Sequence, residues 1–190
     1  MKLLENRILS EGKVFPGNIL KIDSFLNHQI DIKLMEEIGK ETKRLFPNIK
    51  PTKILTIESS GIAIASEVSK NFNYVPIVFA KKRKALNMAD AYCTKEKSYT
   101  RNDYYDVMVA KDFIHEEDKV LIVDDFLANG EALNALIEIC KQANATILGA
   151  CVAVCKTYQP GLTRIENLGI HVECLAKIKS LDNNIIEIDK

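Results

Sequence analysis

Short apolar runs that alternate with helix-patterned stretches constrain this chain more than any other feature. Lys53 to Ile57, Val75 to Ala80, Val120 to Val123 and Thr146 to Val154 each read as a buried strand. Between them the pattern predicts a helix from about Ile62 to Phe72, and another on which Leu133, Leu136, Ile137 and Cys140 share one face. Strands alternating with helices of this length specify an α/β fold, a central mostly parallel sheet flanked by helices. An amphipathic helix is expected from Asp31 to Phe46, with Leu34, Met35, Ile38, Leu45 and Phe46 on its apolar side. Ala91 to Ser98 and Tyr104 to Ala110 read as hairpin arms around the polar tip Tyr99 to Asp103. A helix near Leu162 to Leu168 precedes strand-like pieces at His171 to Ile178 and Ile185 to Ile188. The first thirty residues match no core pattern and are expected to lie over one edge of the sheet.

With 190 residues there is room for one domain, and 47% hydrophobic against 27% charged residues is ordinary globular composition. Twenty-six basic and 26 acidic residues give a formal net charge of zero, which argues against nucleic acid as a partner. The chain lacks an apolar run long enough for a membrane helix, and Met1 to Ser10 do not read as a secretory signal. A cytoplasmic protein is the expectation. Five cysteines, an odd number without a C-x-x-C pair, fit buried apolar thiols better than a disulfide framework or metal site. Cys151 and Cys155 are expected on one face of a strand. His28, His115 and His171 are scattered and suggest no zinc site.

In an open α/β sheet, ligands bind beyond the carboxyl ends of the strands. Three loops there carry unusual chemistry. Val120-Leu121-Ile122-Val123-Asp124-Asp125-Phe126-Leu127-Ala128-Asn129-Gly130-Glu131-Ala132 ends an apolar strand in two carboxylates and opens a helix through small residues. Backbone amides of such a turn cradle phosphate, while paired carboxylates suit sugar hydroxyls or magnesium. Asp-Asp before a helix also reads as an acidic cap, but the whole segment favours a binding loop. Glu58-Ser59-Ser60-Gly61 offers amides and hydroxyls to a pyrophosphate, or simply a capping serine with a turn glycine. Lys81-Lys82-Arg83-Lys84 is a run of cations directly after a strand, the usual composition of a solvated loop.

The thirteen-residue segment resembles the 5-phosphoribosyl 1-diphosphate (PRPP) motif of type I phosphoribosyltransferases. Most of that superfamily has Thr-Gly or Ser-Gly where this chain has Asn129-Gly130. The wording Asp-Asp-Phe-Leu-Ala-Asn-Gly is similar to the bacterial xanthine-using branch. Leu20 to Asp31, Thr56 to Ala63 and Lys156 to Gly161 match the same pattern, so the resemblance runs from roughly residue 3 to residue 180. It implies a single domain, 1–190, in which 1–30 and about 160–190 form a small hood over the base. It implies transfer of phosphoribose from PRPP to xanthine, releasing pyrophosphate and forming xanthosine 5′-monophosphate (XMP), in purine salvage. Ala128, Asn129, Gly130, Glu131 and Ala132 would hold PRPP, and Asp124 and Asp125 would face the ribose at the reacting centre. Leu20, Asn27 and Lys156 would hold xanthine. Ser59, Ser60, Gly61 and Lys82 would attend the pyrophosphate. Magnesium is implied as cofactor and a homodimer as the assembly, and Tyr99 to Asp103 occupy the position of the family's mobile loop.

Two rivals share much of this pattern. A phosphoribosyltransferase for adenine, hypoxanthine or guanine differs only at the base pocket. A PRPP-sensing regulator would carry a DNA-binding domain before the fold, whereas here the helix at Asp31 to Phe46 begins the sheet domain almost at once.

Overall fold

The computed structural model describes residues 1–82, 90–97 and 104–189, with a six-stranded sheet through the centre. Helix α1 (Lys2–Glu11) leads into a hairpin of β1 (Lys13–Phe15) and β2 (Ile19–Lys21), then a π-helical turn, Asp23–Asn27. Next come α2 (Ile32–Leu45), β3 (Lys53–Ile57), α3 (Ser60–Asn71) and β4 (Ile77–Ala80). A second hairpin, β5 (Ala91–Lys97) and β6 (Tyr104–Ala110), precedes β7 (Lys119–Leu127), α4 (Glu131–Gln142) and β8 (Thr146–Lys156). The chain continues through α5 (Gly161–Glu166), β9 (Val172–Ser180) and β10 (Glu187–Ile188). Sheet order is β10-β9-β8-β7-β3-β4, parallel throughout except for β10. Among the described residues, no helix is long and apolar enough to cross a membrane.

Each face of the sheet has its own core, because alternate side chains of a strand point to opposite sides. Leu121 and Val123 meet Leu34, Met35, Ile38, Ile64 and Val68 from α2 and α3. Val120 and Ile122 meet Leu133, Leu136, Ile137 and Cys140 from α4, with Val107 and Val109 of the hairpin. Each such buried aliphatic contributes about 1.5–3 kcal/mol. Asp31 caps α2 by accepting the Leu34 N–H at 3.1 Å. The same carboxyl accepts from the Arg7 guanidinium at 2.7 Å, which holds it below the usual carboxylate range and ties α1 to α2.

The N-terminal thirty residues lie against β9, next to edge strand β10, and also contribute to the core. Leu4 and Ile8 are fully buried, and Ile22, Phe25 and Leu26 join the α2 core. Exposed Leu3 and Leu9 blur the apolar stripe of α1, which hid the helix in the sequence. Its terminal ammonium donates to the Leu175 carbonyl of β9. The C-terminal strands β9 and β10 extend the central sheet.

Strand β7 is also longer than its apolar run. It continues through both acids to Leu127, because β8 runs on to Lys156 and supplies ladder partners, Asp124 with Val152 and Leu127 with Cys155. Cys151 and Cys155 do not share a face. Ala153 and Val154 both pack in the α2 core, so the alternation slips and Cys155 enters the α4 core. Cys140, Cys151 and Cys155 are buried, and burial pushes Cys140 and Cys151 up to about 12, whereas Cys93 is exposed and Cys174 half-buried.

Candidate active site

Parallel strands bring their carboxyl ends to one side of the sheet, and the candidate residues converge there. Register pairs Ile57 with Ala80 and Leu127 with Cys155. Glu58 to Gly61 and Lys81-Lys82 therefore leave the sheet near the level of Asp124, while Ala128 to Ala132 leave it beyond Leu127, beside Lys156 at the end of β8. Two contacts join the first three. The Lys82 N–H donates to Glu58 Oε1 at 2.7 Å. Gly61 lies so close to the ends of β3 and β7 that a Cβ there would overlap Thr56 Oγ1 and stand 3.2 Å from Asp124 Oδ1. The Glu58–Ser59 peptide in this loop is cis. Arg83, Lys84 and the tip Tyr99 to Asp103 lie outside the described residues.

Neither acid caps a helix. The residue before α4 is Gly130, and neither α3 nor α4 receives a side-chain cap bond. Asp124 is 3% exposed, and its Oδ1 accepts the Asp125 N–H at 2.9 Å. Burial first, then the neighbouring Asp125 charge, push the Asp124 carboxyl well above its ordinary range and favour its protonated form. Asp125 is half-buried, and its Oδ1 accepts the Phe126 N–H at 2.9 Å. The two carboxyls thus differ: one is buried against the Glu58–Gly61 loop, and the other remains partly open to solvent.

Ala128 to Ala132 make the turn from β7 into α4. Gly130 has φ +85°, a left-handed conformation that side-chain-bearing residues adopt only with strain. Its Cα also faces Gly161, and a Cβ at 130 would stand 3.2 Å from the Gly161 Cα. The sequence marks Gly130 as a turn glycine, but nothing local to it announces Gly161 as its packing partner.

Leu20 and Asn27 line one cavity of about 450 Å³, together with Phe15, Ile19 and Asp23. Lys156 reaches the same hairpin from the end of β8. Its Nζ donates to the Asn18 carbonyl at 2.9 Å. At 6% exposure Lys156 is not a surface lysine, and burial lowers its pKa from the ordinary 10.5. The structure thus gathers all three residues at the β1–β2 hairpin. Phe15 and Ile19 of the cavity lining have no sequence signal, because a three-residue strand gives no readable alternation. The Asn18 carbonyl, set by a φ of 57°, is equally silent in the sequence, because it is a main-chain acceptor.

The model of the phosphoribosyl transferase domain matches residues 21–165. The chain is 51% identical over 185 residues to xanthine phosphoribosyltransferase 2 of Clostridium botulinum, covering 97% of each chain. It is 52% identical to xanthine phosphoribosyltransferase of Clostridium novyi, covering 96% of each. The fold matches an adenine phosphoribosyltransferase from Rhodothermus marinus with TM-score 0.75 and 20% identity, covering 94% of this chain and 100% of that one. The match to the Leishmania tarentolae adenine enzyme has TM-score 0.74 and 15% identity, covering 97% and 88%. A domain model covering β3, β4, β7 and β8 of the sheet, with relatives alike along nearly their whole length, makes the chain a member of the phosphoribosyltransferase family.

Proposed function

We propose that this chain transfers the 5-phosphoribosyl group from PRPP to N9 of xanthine, giving XMP and pyrophosphate in cytoplasmic purine salvage. The observation that carries the reading is end-to-end identity of about half to relatives that bear the xanthine enzyme's name. The site chemistry supports it. Xanthine presents ring carbonyls and readily becomes an anion, which suits the buried Lys156 ammonium, bonded to the Asn18 carbonyl of the hairpin that carries Leu20. Leu20 supplies an apolar wall and Asn27 an amide. The 5-phosphate would meet the amides of Ala128 to Ala132 at the N-terminus of α4. Asp125 would accept from ribose hydroxyls, with Asp124 behind it, and Ser59, Ser60, Gly61 and Lys82 would receive the pyrophosphate.

In the reaction the C1–O bond to pyrophosphate breaks and an N9–C1 bond forms, while the N9 proton leaves to solvent. Positive charge grows on the ribose ring, so a carboxylate nearby lowers the barrier, as do donors around the departing pyrophosphate. No protein nucleophile is needed; holding both substrates in line supplies much of the rate. The donor set, a partly open Asp125 beside a buried Asp124, fits a magnesium ion carried mainly by PRPP oxygens. Bound there, magnesium would neutralise charge on the leaving pyrophosphate. Residues 1–30 and about 160–190 act with the sheet as one domain closing over the base, and the working assembly is a homodimer.

The test is product analysis. Purified protein with PRPP, xanthine and magnesium should form XMP and pyrophosphate one for one, and a chelator should stop both. Pyrophosphate released without XMP, or neither product formed, overturns the reading.

A further inference from the structure

The loop assigned to the 5-phosphate carries a negative charge of its own. Glu131 is the first residue of α4, directly after Gly130. A glutamate in a first turn suits the helix dipole. Beside a phosphate dianion, however, it is a like charge in the wrong place. Its carboxylate is met by Arg164 of α5, with Nη1 3.1 Å from Glu131 Oε1. Both side chains are well over a quarter exposed, and pairs this open add little to stability.

Helix α5 is also joined to the other end of the same loop. The Gly161 N–H donates to the Ala128 carbonyl at 3.0 Å. A Cβ at 161 would overlap that carbonyl and stand 2.8 Å from the Gly130 nitrogen. Glycine is what lets the two backbones touch. Ala128 and Glu131, on either side of Gly130, are thus both fixed to α5.

We infer that Gly161 and Arg164 are positioning residues for PRPP. Gly161 sets the arc of the Ala128–Glu131 backbone, and Arg164 holds and neutralises the Glu131 carboxylate so that the loop accepts a phosphate dianion. This rests on the proposed assignment of residues 128–132 to the PRPP phosphate. Because the segment from Lys156 to Gly161 is continuous, it also links the base side of the site to its phosphate side.

The test uses the full-length protein, calorimetry with PRPP, and Michaelis constants for both substrates. Arg164→Met should weaken PRPP binding about tenfold, as expected for an unbalanced charge near a dianion, and leave the xanthine constant within about twofold. Adding Glu131→Gln to Arg164→Met should recover most of the loss, a rescue that a merely structural role for Arg164 does not give. Arg164→Lys should lie between wild type and Arg164→Met. Gly161→Ala should also weaken PRPP, and Glu131→Gln should not rescue it. If Arg164→Met binds PRPP within twofold of wild type, or the double variant binds no better than the single, the inference is wrong while the proposed function stands. If the wild-type protein does not bind PRPP, both fall.

Discussion

Lys156→Met separates binding of the base from stability of the fold. The lysine amine is buried, and its hydrogen bond runs to the Asn18 carbonyl of the hairpin that carries Leu20. Methionine keeps the length and apolar bulk and removes the charge and all three donors. A hydrogen bond from a charged donor is worth about 1.5–3 kcal/mol, so the Michaelis constant for xanthine should rise about 10- to 150-fold. The constant for PRPP should change less than about threefold. Folding should respond in a different way. Burial lowers the lysine pKa below 10.5, so the unfolded chain binds more protons between the lowered value and 10.5. Wild-type stability therefore gains from this group as pH rises through that window. The stability of Lys156→Met relative to wild type should be greatest at neutral pH and shrink toward pH 10.5. Initial velocities with both substrates varied, and denaturant melts at neutral and alkaline pH, read the two effects. A raised PRPP constant with an unchanged xanthine constant would place Lys156 on the phosphate side and refute the base-site assignment.

Three further outcomes are expected. Asp125→Asn keeps an acceptor for the Phe126 N–H, so melting should be unchanged while turnover falls at least tenfold. A loss within about threefold, roughly 0.7 kcal/mol, would remove the carboxylate from the chemistry. Gly130→Val puts a β-branched residue at φ +85° against Gly161 and should cut PRPP affinity sharply, with calorimetry at wild-type affinity counting against the phosphate cradle. Asp124 has a raised pKa, so its stabilising contribution is complete below 3.8 and is lost as pH rises through the folded-state value. Asp124→Asn should therefore gain stability over wild type as pH climbs from 4 to 7, and a flat difference would show that the buried carboxyl carries no such cost.

Much of this architecture is legible because it is local. Lys53 to Ile57 is a compact apolar run and forms β3 with those same bounds. Asp31 followed by an apolar stripe announces α2, and the cap bond is there. Once strands alternate with helices, chain direction alone sends every βα loop to one edge, so the Glu58 and Asp124 loops could be placed together from sequence. What was hidden depends on contacts between distant residues. The stripe of α1 is blurred by exposed Leu3 and Leu9. The apposition of Gly130 and Gly161 joins backbones 31 positions apart, and nothing near either glycine encodes it. The Glu131–Arg164 pair likewise looks in sequence like two unrelated surface charges. The slip between Cys151 and Cys155 defeats strict strand alternation.

Base preference tests the central claim most directly, since the fold is shared with adenine-using enzymes. The measurement is kcat/KM for xanthine, hypoxanthine, guanine and adenine at saturating PRPP. Adenine presents an amino group where xanthine has its 6-oxo group, so the Lys156 donor would meet a donor. A buried mismatch of that kind costs about 1–3 kcal/mol, or roughly 5- to 150-fold in rate. Xanthine should rank first, hypoxanthine lower, and adenine at least fivefold below xanthine. Adenine turned over as well as xanthine would contradict the assignment of Lys156 and the function built on it.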